Sequence, residues 1–376
     1  MLYKKTVQLI LESIGRPEEV EYYLKRFKTT AYYFAVIVPD YQTLEENFEH
    51  FFISLDILAR LELFAIILIT GPNAENYQKK FSEKEIFETI IVSDLEESTK
   101  TIEGFLNKNN KKILTIFSNS FLIDFINKFN KFLPTRIHFV RNKGFIRDKN
   151  HHHFYMLNAL GFKDKFSKKI ELSNPEALDI VLEEDVGIYI LSSYLYQFYE
   201  SFHISITSPF MLLKELFTIK GSGTLIRKPS KILHYTKEEV SDELFFKIRT
   251  IIEECFQKKV KDQALENFTE VFLDSEQKSL ILLEKKEFGY YLSKFAVSIE
   301  TRGKGIAQDL WDELQKYNYP LFWKTNQKNS IKKWYEKISD GFFKLNPYFV
   351  YWKNISYRDI PKIIDYIQER GSDFYE

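Results

Sequence analysis

The chain has 376 residues, 44% of them hydrophobic, and its 53 basic side chains balance its 53 acidic ones. A chain of this length usually forms two domains, and zero formal charge argues against a protein that binds nucleic acid by neutralising phosphates. One cysteine excludes an intramolecular disulfide and leaves no C-x-x-C metal site. Because no apolar run approaches the length of a membrane span, we expect a cytoplasmic protein that binds no metal, nucleic acid or membrane.

The first half of the chain alternates helical and strand patterns. Residues 6–14 and 18–27 space their apolar side chains as amphipathic helices do. Runs rich in aromatic and β-branched residues follow at 32–38 and 63–70, joined by a helical pattern at 44–61. Strand, helix and strand in this order predict a parallel sheet in a layered α/β domain. Further buried strands are predicted at 88–93, 112–118 and 135–140.

Residues 220–231, KGSGTLIRKPSK, interrupt this pattern with two glycines and a proline. We therefore predict a domain boundary between residues 224 and 225. Beyond it, residues 237–256 have the pattern of a long amphipathic helix, and residues 279–299 predict two or three strands of an antiparallel meander. A further helix is predicted at 305–318, with strands at 320–325 and 348–355. The second half therefore reads as a smaller α+β unit.

A short loop in this second unit has the chemistry of a phosphate site. Arg302, Gly305 and Ala307 form the pattern R-x-x-G-x-A between a predicted strand and a predicted helix. Glycine lets backbone N–H groups approach a diphosphate, and the helix N-terminus adds a favourable dipole. Such a loop binds phosphate, or it is only a strand-to-helix turn, in which glycines and basic residues are common.

The context of the loop resembles the pyrophosphate arm of the GNAT acetyltransferases. More specifically, residues 291–314, 321–341 and 348–354 resemble the acetyltransferase domain of the vertebrate-like N-acetylglutamate synthases, which share their architecture with bifunctional synthase/kinases. Residues 203–228 are similar to the end of that family's amino-acid-kinase domain and its link to the transferase.

The resemblance implies both the fold and the reaction. It implies a shortened, amino-acid-kinase-like layered α/β domain over residues 1–224, followed by a GNAT-type α+β acetyltransferase domain over residues 225–376. The expected reaction moves acetyl from acetyl-CoA to the α-amine of L-glutamate by direct transfer, which is the first step toward arginine. The residues that it implies for acetyl-CoA are Phe295, Val297, Arg302, Gly303, Lys304, Gly305 and Ala307.

The resemblance also implies residues for the acceptor and for the chemistry. A dicarboxylate needs concentrated positive charge, although a single lysine is more often a solvated surface residue. Tyr335 would protonate the departing thiolate, while Asn329 would fix the acetyl group or the acceptor. Glu300 is one possible base. The positions that the resemblance gives to the acceptor are Lys258, Lys294, Lys324 and Asn326.

One departure from the family pattern concerns the acceptor. Where the family has two arginines in FWRSR, this chain has Lys324 and Asn326, so a bidentate guanidinium is replaced by a point charge and a neutral amide. Either another cation compensates, or the acceptor is an amino acid other than glutamate. A different class of protein also stays open, namely a non-catalytic regulator that senses arginine or acetyl-CoA.

The first domain resembles an amino-acid kinase that has lost its chemistry. Active family members have a lysine and two glycines after the first strand, and this chain has Val38, Pro39, Asp40 and Tyr41 there. Without a phosphate nest or the lysine we expect no kinase activity. The domain is expected to assemble a homo-oligomer, a dimer or tetramer, and to regulate it.

The resemblance also implies an allosteric arginine site at Glu215, Gly221 and Gly223. A carboxylate can pair with a guanidinium, and backbone around glycines can bind the amino-acid ends. The alternative is an exposed helical glutamate followed by a helix C-cap and a linker.

Overall fold

The computed structural model describes residues 13–29, 32–107, 111–160, 175–199, 202–218, 221–302, 305–327, 329 and 331–375. The chain divides into two compact units, Met1–Lys228 and Pro229–Glu376. The predicted helix at 6–14 lies largely outside the described residues, as do Gly303 and Lys304 of the predicted phosphate loop.

The first unit is built on a sheet whose described strands are β1 Val36–Pro39, β2 Ile66–Thr70, β3 Phe87–Val92, β4 Ile113–Ser118, β5 Arg136–Val140, β6 Met156–Asn158, β7 His203–Thr207 and β8 Gly223–Arg227. Their order is β3-β4-β2-β1-β5-β7-β8-β6. Every neighbouring pair is parallel except β7 with β8. The predicted parallel sheet is therefore confirmed.

Helices cover both faces of this sheet. Alternate residues of β1 enter different apolar clusters, Ile37 one and Val36 the other, as expected for parallel strands buried on both sides. The predicted helix at 44–61 is two helices, because Asn47 leaves the helical conformation. The described helices are α1 Pro17–Lys28, α2 Tyr41–Glu46, α3 Phe48–Arg60, α4 Gln78–Ser82, α5 Thr99–Leu106, α6 Leu122–Phe129, α7 Pro175–Ile180, α8 Glu183–Phe198 and α9 Leu212–Phe217.

The predicted domain limit at 224/225 falls inside β8, which pairs with β7 and β6 of the first sheet. One of the glycines from which the boundary was predicted, Gly223, has a structural role in the sheet. A Cβ on Gly223 would lie 2.2 Å from the carbonyl oxygen of Ile206 in β7. Glycine is therefore required by the close approach of two strands, and the first unit continues to Lys228.

The second unit has a sheet of order β14-β15-β13-β12-β11-β10-β9. Neighbouring strands are antiparallel except β12 and β13, which are parallel. Its described strands are β9 Ile232–Thr236, β10 Glu270–Asp274, β11 Ser279–Lys286, β12 Gly289–Val297, β13 Leu321–Asn326, β14 Gly341–Leu345 and β15 Tyr348–Lys353. Its described helices are α10 Asp242–Phe256, α11 Gln263–Glu266, α12 Ile306–Gln315, α13 Lys332–Ile338 and α14 Ile360–Glu369.

The sheet of the second unit opens between β12 and β13. These strands pair through Tyr290 and Tyr291, close to the start of each strand. The register between β11 and β12 then shifts at Ser293, an extra residue that forms a β-bulge. A bulge bends its strand. The carboxyl-terminal halves of β12 and β13 are therefore not paired with each other in the described residues, and a gap separates them.

Candidate functional site

Successive side chains of β12 point to opposite faces of the sheet beside the gap. Lys294 points to the side covered by the segment after α14, where its ammonium meets Asp373. Phe295 points to the other side and packs against Trp334, with ring centroids 5.7 Å apart. The alternation of side chains along β12 thus places a cation on one face of the sheet and an aromatic cluster on the other.

The aromatic cluster contains the predicted catalytic tyrosine. Tyr335 lies on α13, is 6% exposed, and its ring centroid is 5.5–5.6 Å from those of Trp323, Trp334 and Tyr351. Burial raises the pKa of the Tyr335 phenol above its ordinary value. The phenol therefore keeps its proton at neutral and alkaline pH.

The structure brings together two of the predicted acceptor lysines. Lys294 is 2% exposed, and its Nζ lies 2.6 Å from Asp373 Oδ2 and donates to Ser293 Oγ at 3.0 Å. Lys324 Nζ donates to the carbonyl oxygen of Arg370 at 3.3 Å. Burial lowers the pKa of both lysines, and the nearby charge of Lys294 lowers that of Lys324 further. Two cations are thus held close together in a partly buried position.

Two charged residues of this cluster were missed by the sequence prediction. Arg370 donates to both carboxylate oxygens of Glu284, at 2.9 and 2.7 Å, and to Asp373 Oδ1 at 3.0 Å. Arg370 and Lys294 hold the pKa of the Asp373 carboxyl below its ordinary value, against the effect of burial. In the sequence, Arg370 and Asp373 are only the charged end of an amphipathic helix. Because Asp373 and Lys294 are 79 residues apart, no local pattern predicts their contact.

The predicted phosphate loop lies at the start of α12. Gly305 is the N-cap residue with φ 80°, a left-handed conformation that favours glycine, and it has no side chain to cap the helix. Helical hydrogen bonds begin with the Gln308 amide, which donates to the Gly305 carbonyl at 3.0 Å. The earlier amides of the first turn have no partner within the helix. Arg302 is exposed and Ala307 is half-buried.

A buried hydroxyl network fixes the end of β12 ahead of this loop. Thr301 Oγ1 lies 3.0 Å from Ser298 Oγ and 2.9 Å from Ser279 Oγ. Val297, at the end of β12, pairs with Ser279 of β11. The chain therefore leaves the sheet at a defined point before it enters α12.

The other predicted site residues lie around the opening. Asn329 is exposed, and its side-chain oxygen accepts a hydrogen bond from the Ile331 amide at 3.2 Å, at the start of α13. Asn326 is exposed at the end of β13. Lys258 is exposed after α10 and lines a surface groove that also contains Tyr375. No contact described in the structure joins Lys258 to Lys294.

In the first unit, two of the residues predicted for arginine, Glu215 and Gly221, lie next to each other, whereas Gly223 approaches Ile206 of β7. Glu215 Oε2 accepts from the Ser222 amide at 2.5 Å, and a Cβ on Gly221 would lie 2.6 Å from the same oxygen. Burial raises the pKa of Glu215, although nearby Arg136 opposes this effect. The guanidinium of Arg136 lies 5.2 Å from the ring centroid of Phe27 on α1. The carboxylate therefore has partners within the protein.

The loop after β1 is filled by its own side chains. Asp40 Oδ1 accepts from the Thr43 amide at 2.7 Å and caps α2. The Tyr41 hydroxyl lies 2.9 Å from the carbonyl oxygens of both Thr70 and Pro72. A carboxylate and a phenol thus cover the ends of β1 and β2, where a nucleotide phosphate would need amides and a cation.

Two further observations concern metal ligands and membrane-spanning helices. In the described part of the chain, no three His, Cys, Asp or Glu side chains are grouped as metal ligands would be. Every helix among the same residues is too short or too polar to cross a membrane.

Comparison with known proteins finds a matching family and several relatives. Residues 235–370 match the family described as the N-acetyltransferase, or NAT, domain of N-acetylglutamate synthase. The chain is 27% identical over 251 residues to the mitochondrial N-acetylglutamate synthase of Homo sapiens, covering 65% of this chain and 45% of that protein. It is 30% identical over 156 residues to the acetylglutamate kinase of Xanthomonas campestris, covering 40% of this chain and 36% of that protein.

Among solved structures, the chain is similar to an N-acetylglutamate synthase from Neisseria gonorrhoeae complexed with coenzyme A and L-arginine. That match has a TM-score of 0.48 and 12% identity, over 90% of this chain and 98% of the other. The chain spans less than half the length of the curated relatives given above. The family match and the relatives confirm the resemblance to the synthase/kinase type, and the two sheets confirm the mixed α/β fold class with a GNAT-type second domain.

Proposed function

We propose that the chain transfers the acetyl group of acetyl-CoA to the α-amine of L-glutamate. The observation that carries this proposal is the arrangement at the gap between β12 and β13. Buried Lys294 and half-buried Lys324 lie on one face, and the protonated phenol of Tyr335 lies on the other. The match to the NAT domain of N-acetylglutamate synthase supports the same reaction class.

Acetyl-CoA would approach from the face of Tyr335 and α12. The first-turn amides beside Gly305 and the exposed guanidinium of Arg302 suit its diphosphate. Phe295 and Val297 lie on the part of β12 that does not pair with β13. Backbone groups along such an edge can exchange hydrogen bonds with the amides of the coenzyme arm. The predicted roles of Gly303, Lys304 and Ala307 belong to the same proposal.

The acceptor would approach from the face of Lys294 and Lys324, whose ammonium groups suit its carboxylates. Its neutral α-amine attacks the thioester carbon, so a C–N bond forms as the C–S bond breaks. The amine loses one proton and the coenzyme A thiolate gains one. Tyr335 is the proposed proton donor to the thiolate, and Asn329 with Asn326 would position polar groups of the substrates at the opening.

The test is release of coenzyme A thiol from acetyl-CoA by the purified protein, with L-glutamate and then each other amino acid as acceptor. Glutamate-dependent release with formation of N-acetylglutamate is the expected result. If acetyl-CoA binds and no amino acid gives release, the enzyme proposal fails and a non-catalytic regulator is favoured.

A second candidate is the same transfer to a different amino acid. It is motivated by Asn326, a neutral and exposed amide where the family has an arginine. Release that depends on another acceptor, with little release for glutamate, would establish this candidate. The mechanism at Tyr335 would then stay the same.

For the first unit we propose assembly and regulation without phosphoryl transfer. Asp40 and Tyr41 supply no cation and cover the strand ends. Turnover of ATP with N-acetylglutamate would contradict this. We also propose that Glu215, Gly221 and Gly223 bind arginine and that the unit forms a dimer or tetramer. A thermal shift with arginine and sedimentation equilibrium test these two proposals, and a monomer unaffected by arginine would remove both.

A further inference from the structure

We propose that Asp373 holds the place of the acceptor's side-chain carboxylate, so that L-glutamate binds Lys294 in exchange for Asp373. Asp373 would thereby set the affinity for the acceptor. This inference rests on the proposed function, because it assigns a state of the same acceptor site.

The contact at Lys294 has the geometry that a bound carboxylate would have. Asp373 Oδ2 lies 2.6 Å from Lys294 Nζ, and Asp373 Oδ1 accepts from Arg370 Nη2 at 3.0 Å. One carboxylate therefore bridges two cations. Such a charge-assisted pair is also how a protein holds a free carboxylate ligand.

Burial makes the contact necessary in the absence of ligand. A lysine that is 2% exposed needs a counter-ion, because an unpaired buried charge is very unfavourable. Asp373 supplies that counter-ion. A dicarboxylate that binds Lys294 would place a second negative charge beside Asp373, and like charges at this distance repel. The Lys294 ammonium can thus pair with the carboxylate of Asp373 or with that of the acceptor, but not fully with both.

Two backbone hydrogen bonds and the Phe374 ring attach the segment that carries Asp373, and Lys294 Nζ lies 5.7 Å from the centroid of that ring. The Lys261 amide donates to the Asp373 carbonyl at 3.0 Å, and the Tyr375 amide donates to the Lys259 carbonyl at 3.0 Å. The ring of Phe374 packs against Phe256, with centroids 4.9 Å apart. A segment held by two such backbone bonds can open locally without unfolding the domain.

Departure of Asp373 would also compensate for the family arginine that Asn326 replaces. Arg370 stays fixed by Glu284, through hydrogen bonds of 2.9 and 2.7 Å. Its Nη2 group, which donates to Asp373, would then be available to donate to the acceptor. The site would present Lys294, Lys324 and Arg370 to the acceptor, so a guanidinium from α14 replaces one from β13.

The direct test is Asp373→Asn in the 376-residue chain, with L-glutamate affinity measured by calorimetry and KM by thiol release. Removing the competing charge should lower both the Kd and the KM for L-glutamate by about threefold to tenfold. L-Glutamine, which lacks the side-chain carboxylate, should gain less. The matched control is Asp365→Asn, which removes an exposed carboxylate from α14 away from Lys294. If Asp373 only orients Lys294, the affinity for L-glutamate falls instead, and the proposal is overturned.

A second measurement uses the wild-type protein and does not depend on the variant folding. Amide hydrogen exchange at Lys261 and Tyr375 should become at least about threefold faster when L-glutamate is saturating. The reason is that these two amides form the backbone hydrogen bonds that hold the segment carrying Asp373. The Lys237 amide, which donates to Thr269, serves as the control. Unchanged or slower exchange at Lys261 and Tyr375 would overturn the proposal.

The outcomes separate this inference from the proposed function. Tighter binding of L-glutamate to Asp373→Asn without thiol release would support the exchange and reject the synthase reaction. Thiol release by the wild type with no gain in the variant would keep the reaction and reject the exchange. Absence of L-glutamate binding to either protein would reject both.

Discussion

The helices α2 and α12 follow the strands β1 and β12, and their first turns differ. Asp40 caps α2 with a carboxylate that accepts from the Thr43 amide at 2.7 Å. Gly305 begins α12 with no side chain and with φ 80°. A helix N-terminus attracts anions only while its first amides are available. We therefore expect the cap residue to decide which of the two junctions can take a diphosphate.

The strands beside the two junctions differ in the same way. At the ends of β1 and β2, the Tyr41 hydroxyl lies near two carbonyl oxygens and its ring stacks on Tyr77, with centroids 5.3 Å apart. At β12 and β13 the strands separate after Tyr291 and leave a gap with charged and phenolic groups around it. The first region is filled by its own side chains, whereas the second is the region where we propose that the substrates bind.

The largest effect is expected at the second region, for Tyr335→Phe. The substitution keeps the ring in its pocket and removes only the proposed proton donor, so kcat for thiol release should fall by about a hundredfold, with a smaller change in KM. The control is Tyr351→Phe, whose ring lies 5.6 Å away. Because burial raises the pKa of Tyr335, its own titration should not lower activity up to about pH 10, where an ordinary tyrosine ionises. Equal activity of the two variants would remove Tyr335 from the mechanism.

An intermediate effect is expected when the second junction is made like the first. Gly305→Asp places a carboxylate at the N-cap of α12, where it can occupy the first-turn amides and repel a diphosphate. Gly305→Asn has almost the same shape and the same left-handed strain without the charge. We expect the KM for acetyl-CoA to be about tenfold higher for the aspartate than for the asparagine variant. Equal KM values for the two variants would mean that this helix end does not contact phosphate.

The sequence alone predicted the parts of this comparison that depend on local pattern. Alternating and buried apolar runs located β1, β2 and β12, and R-x-x-G-x-A located the start of α12, because strands and glycine caps have local signatures. The resemblance also predicts from Val38–Tyr41 that the loop after β1 has lost its kinase chemistry, and this stays a prediction.

The remainder depends on contacts between distant segments. β8 was read as a linker because Gly223 is a common breaker, whereas its need for glycine arises from a strand far away in sequence. The role of Asp373 depends on the path of the chain after α14, which no periodicity encodes. Arg370, likewise, becomes a candidate for the missing cation only when its distance to Asp373 is known.

The smallest effect is expected in the first region, for Asp40→Ala. Loss of the cap should cost about 1 kcal/mol, which in a unit of this size lowers Tm by about 2–4 °C. The control Asp56→Ala removes an exposed ion pair with Arg60, and it should shift Tm by less than about 1 °C. The same Asp40→Ala protein should gain no ATP turnover, because freeing the amides of α2 leaves Tyr41 over the ends of β1 and β2 and supplies no cation. A Tm equal to that of the Asp56→Ala protein would show that the carboxylate does not stabilise this helix, and the contrast between the two junctions would then depend on Tyr41 alone.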